Sequence, residues 1–503
     1  MLLPLAGKRV VLGVTGSVAA YKAVVVASRL TQLGAEVVTV LTKGATHFVM
    51  PLSFQAVTGQ PAYTDADLWG QRAHVLHVGL GQQADLALIA PATANTLAKL
   101  AHGQADNLLT LTALSTSAPI VVAPAMDGGM FTHPATQANL KALRERGVVV
   151  LGPEEGRLAS GLMGPGRMVE PETLIGAARY HLTRGGPWQG KRVVVTAGGT
   201  QEPIDPVRAI GNRSTGRQGF ALAQAALDCG AEVTLIAGPT TLPTPWGARR
   251  VDVRTAAEMA EAVFAALEDA EALFMAAAVA DYRPLHAAAQ KIKKGKDALD
   301  LHLTRTVDIL AEVHARRGDL PTLQLVVGFA AESRDLVENA RAKLQAKGLD
   351  MIAANDITAR DAGFGAPTNR ITLLYADGGA EPLPLMGKEE VARHILARAL
   401  VLLQGGMVGH LCSASAWENA QRLGEYRPPS LERQGFIHFA RLDQLAVVAQ
   451  RWFPGRNDLL LLLVPMTRLI PHLRWEATDG ALYPHLYAPL AIDAVAEVRK
   501  YNG

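Results

Sequence analysis

The sequence predicts an α/β protein built from two doubly wound parallel-sheet domains and a small C-terminal α+β domain. Three observations lead there. An internal repeat comes first: "GKRVVLGVTGS" at 7–17 returns as "GKRVVVTAGGT" at 190–200, an offset of 183, and "LGAEVVTVLT" at 33–42 returns as "CGAEVTLIAG" at 229–238, an offset of 196. Each copy then reads as a buried strand of β-branched residues, a glycine turn, an alanine-rich helix, a Gly-Ala break and a second strand. That is the opening of a Rossmann-like sheet, in which ligands sit at the carboxyl ends of the strands. Past about residue 407 the composition changes, with Trp417, Trp452 and Trp475 among scattered Pro, Tyr and His, so the tail reads as a separate module.

"RGGPWQG" at 184–190 and "LLQGGMVGH" at 402–410 read as linkers, which sets the expected domains at 1–183, 184–404 and 405–503. Further strand ends supply candidate ligand loops. In the first domain these are "ADLALIAPATANT" at 84–96 and "APIVVAPAMDGGMF" at 118–131. In the second they are "ALFMAAAVADYRP" at 272–284, "LQLVVGFAAES" at 323–333 and "DMIAANDI" at 350–357. "RLASGLMGPGRM" at 157–168 holds three glycines and a proline around Ser160, and is expected to be a loop, neither helix nor strand.

Composition excludes several classes. The chain has 503 residues, too many for one core. Its net charge of +3 and 19% charged residues give no nucleic-acid-binding surface. The apolar run "LLLLLV" at 459–464 has strand length, far short of the roughly 20 residues a bilayer requires. "LPLAGKRVVLGV" runs directly into a strand, so no leader is expected. Cys229 and Cys412 are the only cysteines, which leaves no disulfide framework and fits a reducing cytoplasm.

The loops can support specific chemistry. "GVTGSVAA" at 13–20 lacks the GxGxxG pattern, and its second strand ends in Thr42 and Lys43 where a dinucleotide site wants an acid. A mononucleotide phosphate on Gly16, Ser17 and backbone amides is one reading; a tight strand-to-helix turn is the other. "KIKKGK" at 291–296, with Lys343 and Lys347 four apart on a helix, supplies charge for a triphosphate without a Walker loop. A solvated basic loop is the competing reading. Of His74 and His77, at most one faces a site, as the acid–base candidate near neutrality.

Over its first 400 residues the chain closely resembles the bifunctional coenzyme A biosynthesis flavoproteins, in which phosphopantothenoylcysteine decarboxylase is fused to phosphopantothenate–cysteine ligase. In the first domain, "GVTGSVAAYK" is similar to the family's FMN-binding start and "APATANT" at 90–96 to its second flavin loop. The resemblance therefore implies FMN contacts at Gly13, Thr15, Gly16, Ser17, Thr42, Thr93 and Asn95. His77 matches the catalytic histidine. "PAMDGGMF" at 124–131 resembles the substrate clamp, with Met126, Asp127 and Met130, and "GPGRM" at 164–168, with Arg167, the end of a substrate flap.

In the second domain, "TAGGTQEPIDPVRAIGNRSTGRQG" at 196–219 is similar to the ligase signature and accounts for 13 extra residues in the second repeat. The resemblance implies Arg208 for substrate and Asn212 for the acyl-nucleotide intermediate. It implies Asp281, Lys291, Asp308, Ile309, Phe329, Lys343 and Lys347 for CTP, with Lys291 also catalytic and magnesium as the metal. It further implies a homo-oligomer, with trimer contacts in one domain and dimer contacts in the other, up to a dodecamer.

Three places depart from the family pattern. "TVDI" at 306–309 stands for "NPDI". Asp127 stands where the clamp has asparagine, so an ionised side chain would face a substrate carboxylate of like charge. Ser160 stands where the family has the cysteine that donates the last proton; a thiol with pKa of about 8.5 can do so near neutrality, whereas an alkyl hydroxyl is far less acidic. A decarboxylase that is slow or stalls at the enethiol is the resulting expectation, with an active ligase carrying a non-catalytic flavin domain as the alternative. In the tail, which resembles a small uncharacterised bacterial domain, His438, His485, Tyr487 and Glu476 could form a polar site or serve structure only.

Overall fold

The computed structural model describes residues 3–69, 73–294, 299–332, 334–356, 365–470, 472–478 and 481–501. The chain divides into two compact units, Leu3–Arg184 and Gly185–Gly503. Lys296 and the side chain of His74 lie outside the described residues.

The first unit alternates strand and helix in chain order: β1 (Arg9–Val14), α1 (Ala20–Gln32), β2 (Glu36–Leu41), α2 (Pro51–Thr58), β3 (Ala62–Thr64), α3 (Ala73–Gln83), β4 (Leu86–Ala92), α4 (Ala94–His102), α5 (Leu108–Ser115), β5 (Ile120–Pro124), α6 (Gly128–Thr132), α7 (Pro134–Glu145) and β6 (Val149–Val150). A hairpin of β7 (Glu154–Arg157) and β8 (Met163–Arg167) follows, then α8 (Pro171–Thr183). The six-stranded sheet is parallel with order β3-β2-β1-β4-β5-β6. Its strands read as continuous apolar runs because helices cover both faces, and Val11, Val38, Ile89 and Val122 meet Leu97, Leu109 and Leu140 in one core. Thr93 caps α4 and Asn107 caps α5 through side-chain oxygens, each worth about 1 kcal/mol.

The second unit repeats the topology. Its strands lie in the order Arg249–Asp252, Glu232–Ala237, Arg192–Ala197, Ala272–Met275, Leu325–Glu332 and Met351–Asp356, all parallel. Ile371–Tyr375 and Ala380–Pro382 then extend the sheet antiparallel. The tail packs into this same unit with a four-stranded and a three-stranded antiparallel sheet. No helix among the described residues is long and apolar enough to cross a membrane.

The glycine-rich stretch expected as a loop is corrected in part: Met163–Arg167 is strand, paired antiparallel with Glu154–Arg157. The cross-strand bonds of a hairpin satisfy backbone groups that the composition alone would leave to solvent. Only the turn that carries Ser160 remains irregular, closed by Gly161 N–H to Leu158 O at 2.9 Å.

Candidate functional site

In the first unit a cavity of about 510 Å³ opens at the carboxyl ends of β1, β2 and β4, the point where the strand order reverses. Gly16, Thr42, Thr93, Asn95 and Met130 line it. The turn after β1 and the turn after β2 touch backbone to backbone: a Cβ on Gly16 would stand 2.9 Å from the Gly44 carbonyl carbon. Thr15 locks the rim. Its buried hydroxyl donates to Pro91 O at 2.7 Å and accepts from Thr93 N–H at 3.0 Å, tying the end of β1 to the end of β4. Ser17 turns inward on its own loop, accepting from Ala19 N–H at 3.3 Å. Gly13 lies inside β1 and leaves room for Leu109, whose Cδ1 is 2.5 Å from where its Cβ would be.

Sequence reasoning did not select Lys43, Gly44, Asp65, Lys99, Asp106 or Asn107 for the cavity, yet they line it. Lys99 holds Asp106 at 2.8 Å, and that hydrogen bond keeps the Asp106 carboxyl below its ordinary range. Asp65 accepts from Lys43 N–H at 3.3 Å and Leu108 N–H at 3.1 Å. No spacing motif marks these residues, because they come from irregular segments far apart in sequence. His77 lies half-buried on α3, outside the cavity lining, and its buried Nδ1 has no hydrogen-bond partner among the described residues.

The hairpin β7–β8 is docked onto the loop after β5. Met126 N–H donates to Gly166 O at 3.0 Å, and Ser160 Oγ donates to Asp127 Oδ2 at 2.7 Å. Asp127 also caps α6 by accepting from Gly129 N–H at 3.1 Å. The Ser160 hydrogen bond, then that amide, holds its carboxyl below the usual range, so it is ionised at neutrality. Arg167 pairs with Glu170, which also meets Lys22 at 3.0 Å.

In the second unit the same glycine contact recurs: Gly199, 183 residues after Gly16, approaches Gly238 so closely that a Cβ on Gly238 would sit 2.6 Å from Gly199 O. Asn212 bridges two strand-end loops, its amide donating to Ala278 O at 3.2 Å and Val279 O at 3.1 Å. Asp205 is buried and accepts from Arg208 Nε at 2.9 Å, from Val207 and Arg208 N–H at 2.8 Å, and from Ile292 N–H at 3.1 Å. The Arg208 guanidinium holds its carboxyl far below the ordinary range. Arg208 therefore ties the loop at 204–208 to the lysine segment that begins at exposed Lys291.

A second cluster forms around the helix Leu336–Ala346. Lys343 Nζ donates to Phe329 O at 2.9 Å, and Lys347 pairs with Asp308. Asp308 caps the helix Ile309–Ala315 through Ala311 N–H at 3.1 Å, with Ile309 buried behind it. Burial pulls Lys343 and Lys347 down from their ordinary range, while Asp281 acts on both and Glu332 on Lys343 in the opposite sense. Asp281, Asp308, Phe329, Lys343 and Lys347 thus converge; the described contacts do not join Lys291 to them. Among the described residues no group of three or more His, Cys, Asp or Glu could hold a metal ion.

Two Rossmann-type sheets, each with polar loops gathered at its strand ends, define a two-unit protein of the Rossmann-like α/β class. Residues 3–180 match the family described as Flavoprotein, and 188–402 the family described as DNA/pantothenate metabolism flavoprotein C-terminal domain. Residues 411–498 match a family described as a protein of unknown function. The coenzyme A biosynthesis bifunctional protein CoaBC of Bacillus subtilis (strain 168) is 44% identical over 398 residues, covering 78% of this chain and 97% of that protein. Its namesake from Escherichia coli (strain K12) is 43% identical over 397 residues, covering 78% and 97%. A crystal structure of the C-terminal domain of a CoaBC protein is 39% identical, with TM-score 0.37, covering 44% of this chain and 99% of that one. The chain belongs to the family of coenzyme A biosynthesis bifunctional proteins CoaBC.

Proposed function

We infer that this chain makes 4′-phosphopantetheine in two steps. Its second unit joins cysteine to 4′-phosphopantothenate with CTP, and its first unit decarboxylates the product. The observation that carries this reading is the match of 78% of this chain to bifunctional relatives, 97% of whose length is covered.

In the ligase step the substrate carboxylate attacks the α-phosphorus of CTP and pyrophosphate leaves. The cysteine amine then attacks the acyl carbon, releasing CMP and a proton. Lys343, Lys347 and Lys291 are the cations assigned to the leaving phosphates, since a fixed positive charge is the main service a protein offers phosphoryl departure. Asn212 and Arg208 are assigned to the acyl-nucleotide and substrate. Magnesium finds no three-ligand cluster of His, Cys, Asp or Glu among the described residues.

The cavity of the first unit fits FMN. Gly16 and Gly44 allow close backbone approach, Thr42, Thr93 and Asn95 offer polar groups at the strand ends, and Lys43 and Lys99 offer charge for a phosphate. Bound FMN supplies a two-electron acceptor and donor. His77 is assigned as proton carrier, Met126, Asp127 and Met130 as the clamp, and the hairpin with Ser160 and Arg167 as the cover over substrate. Oxidation of the cysteinyl thiol to a thioaldehyde gives the carboxylate an electron sink, carbon dioxide leaves, and the enethiol gains a hydride and a proton. We assign a homo-oligomer: Val18, Tyr21 and Val25, at helical spacing around α1, are large, apolar and exposed.

The test supplies 4′-phosphopantothenate, cysteine, CTP and magnesium, and measures pyrophosphate, carbon dioxide and product mass separately. Pyrophosphate and carbon dioxide in equal amounts, with the mass of 4′-phosphopantetheine, support the reading. Pyrophosphate without carbon dioxide would overturn its decarboxylase half.

A further inference from the structure

The three-stranded sheet of the tail carries titratable groups that neither enzymatic step uses. Its strands lie in the order Ile437–His438, Ala481–Leu486 and Leu473–Thr478. Register places His438 opposite His485, and His485 opposite Arg474. Cross-strand partners share a face, so two imidazoles and a guanidinium stand abreast on one side of the sheet. Ile437, Leu486 and Leu473 occupy the next row on the opposite, buried side. Glu476 and Tyr487, two residues along from Arg474 and His485, share the polar face.

The pairings on this face are asymmetric. Glu476 is fully engaged: Oε2 meets His485 Nδ1 at 2.6 Å, and Oε1 accepts from the Tyr487 hydroxyl at 2.7 Å. Desolvation raises the Glu476 carboxyl, but those two hydrogen bonds outweigh it, so the group stays ionised and fixes the proton on His485 Nδ1. His485 is only 6% exposed, and its Nε2 has no partner among the described residues. His438 contacts Gln434 Oε1 through Nε2 at 2.7 Å, which leaves Nδ1 open, and the two imidazole centroids are 5.0 Å apart. Arg474 stacks its guanidinium over the Tyr487 ring at 4.6 Å, and among the described residues none of its N–H donors is in a hydrogen bond or ion pair. Phe436 lies against His485 at 4.3 Å, nearly parallel.

We propose that this face binds a phosphate-bearing small molecule as its monoanion, two phosphoryl oxygens accepting from Arg474 and the P–OH donating to the unprotonated ring nitrogen, His485 Nε2 or His438 Nδ1. A guanidinium held flat on an aromatic ring with its donors free is preorganised for planar, two-point recognition of an oxyanion. The nearby carboxylate does not compete for Arg474, because its oxygens are committed to His485 and Tyr487. The phosphate comes either from free inorganic phosphate or from a phosphorylated metabolite, and the two sources share this recognition chemistry.

The test reads one residue in the full-length protein, because the other units bind phosphate compounds as well. Carbethoxylation of exposed His438 by diethyl pyrocarbonate is followed by peptide mass spectrometry, with exposed His102 as internal reference. Inorganic phosphate, CMP and 4′-phosphopantetheine are added in separate arms. At twice the dissociation constant, bound ligand should slow modification of His438 about threefold in the wild type. Arg474→Gln, an exposed substitution, should abolish the slowing while pyrophosphate release by the ligase stays unchanged. Protection by the organic phosphates alone assigns the site to a metabolite; protection by inorganic phosphate as well assigns it to the free anion. No protection in any arm, or protection that survives Arg474→Gln, overturns the proposal.

Discussion

Ser160 donates its hydroxyl to Asp127 Oδ2 at 2.7 Å. The two positions at which the decarboxylase half departs from the family pattern are therefore one interaction, made across 33 residues of chain. The bond keeps Asp127 ionised and commits the Ser160 proton to it. Neither group is then a good acid for a final proton transfer. The double variant Asp127→Asn/Ser160→Cys restores a neutral clamp and an acidic thiol together. A positioned proton donor contributes roughly 10²–10⁴-fold, so enethiol turnover should rise at least about tenfold, with pyrophosphate release unchanged. Quenched-flow mass spectrometry on preformed enethiol reads this directly. A wild type that turns over as fast as the double variant would show the Asp127–Ser160 pair to be competent as it stands.

Gly166 is where the same hairpin meets the Met126 loop. Its φ is +138°, and a Cβ there would sit 2.2 Å from Met126 O. Gly166→Ala meets both backbone strain and a clash with backbone that cannot swing aside. The hairpin should leave the Met126 loop, and carbon dioxide release should fall tenfold or more, by the roughly 10²-fold cost of misplacing a positioning element. The flavin absorbance of the purified protein should persist, because Gly166 does not line the cavity. Equal loss of flavin and activity would count against a role confined to covering substrate.

The extent to which this was legible in the sequence follows from where each contact originates. The repeat predicted two matching sheets, and Gly16 with Gly199 shows why it could: a glycine turn pressed against a second turn is a local demand that both copies must meet. Lys343 and Lys347 stood out as a charged pair four apart on a helix, but Asp308 and Phe329 were visible only through family motifs, since the convergence of all four depends on packing between separate elements. Lys43, Asp65, Lys99 and Asp106 carry no period and no motif, and the cavity they line exists only after the sheet closes. Ser160 and Asp127 could be seen as two anomalies but not as a pair. The strand Met163–Arg167 was hidden by its glycines and proline, which weaken propensity without preventing a hairpin.

Lys347 and Asp308 offer a double-mutant test of the ligase cluster. The pair is formed in the chain as it stands, so Lys347→Ala removes a cation and leaves the Asp308 carboxylate facing the same space. KM for CTP should rise about tenfold or more, as expected for an uncompensated charge near a polyanion. Adding Asp308→Asn keeps an N-cap for the helix Ile309–Ala315 and removes the exposed charge, so part of the loss should return. Additive losses in KM would mean that the two side chains act independently on the nucleotide.

Two buried histidines should make the second unit acid-sensitive. Burial, with Arg398 and Arg393 nearby, pushes His394 down to about 3. Burial also pushes His410 down to about 4, against the hydrogen bond to His438 O and with repulsion from the His438 ring adding to the fall. Both pKa values lie below the ordinary 6.5, so the unfolded chain binds more protons than the native one between about 3 or 4 and 6.5. Their stabilisation is complete above 6.5 and is lost as pH falls through that window, at up to about 1.4 kcal/mol per pH unit for each histidine. Denaturant midpoints of the second unit should drop steadily below pH 6.5, and less steeply in His410→Gln. A midpoint independent of pH between about 6.5 and 5 would refute the linkage.

Arg398 couples the tail to the second α/β sheet. Its guanidinium is 1% exposed, pairs with Glu381 through Nε at 3.2 Å and through Nη2, and donates to His394 Nδ1 at 2.8 Å. The Tyr375 hydroxyl donates to the same carboxylate at 2.7 Å, and Trp475 of the tail lies 4.6 Å over the guanidinium. Arg398→Met leaves a buried carboxylate without its cation, which typically costs about 3–5 kcal/mol. Replacing both charges, in Arg398→Met/Glu381→Leu, removes the desolvation penalty as well and should recover most of that loss. Trp475→Leu removes only the cation–π contact and some packing, and should cost about 1–2 kcal/mol. If the tail and the sheet form one cooperative unit, all three variants shift a single unfolding transition, read both by Trp fluorescence and by loss of ligase activity. Separation of those two readouts in Trp475→Leu alone would place the cooperative boundary at this contact.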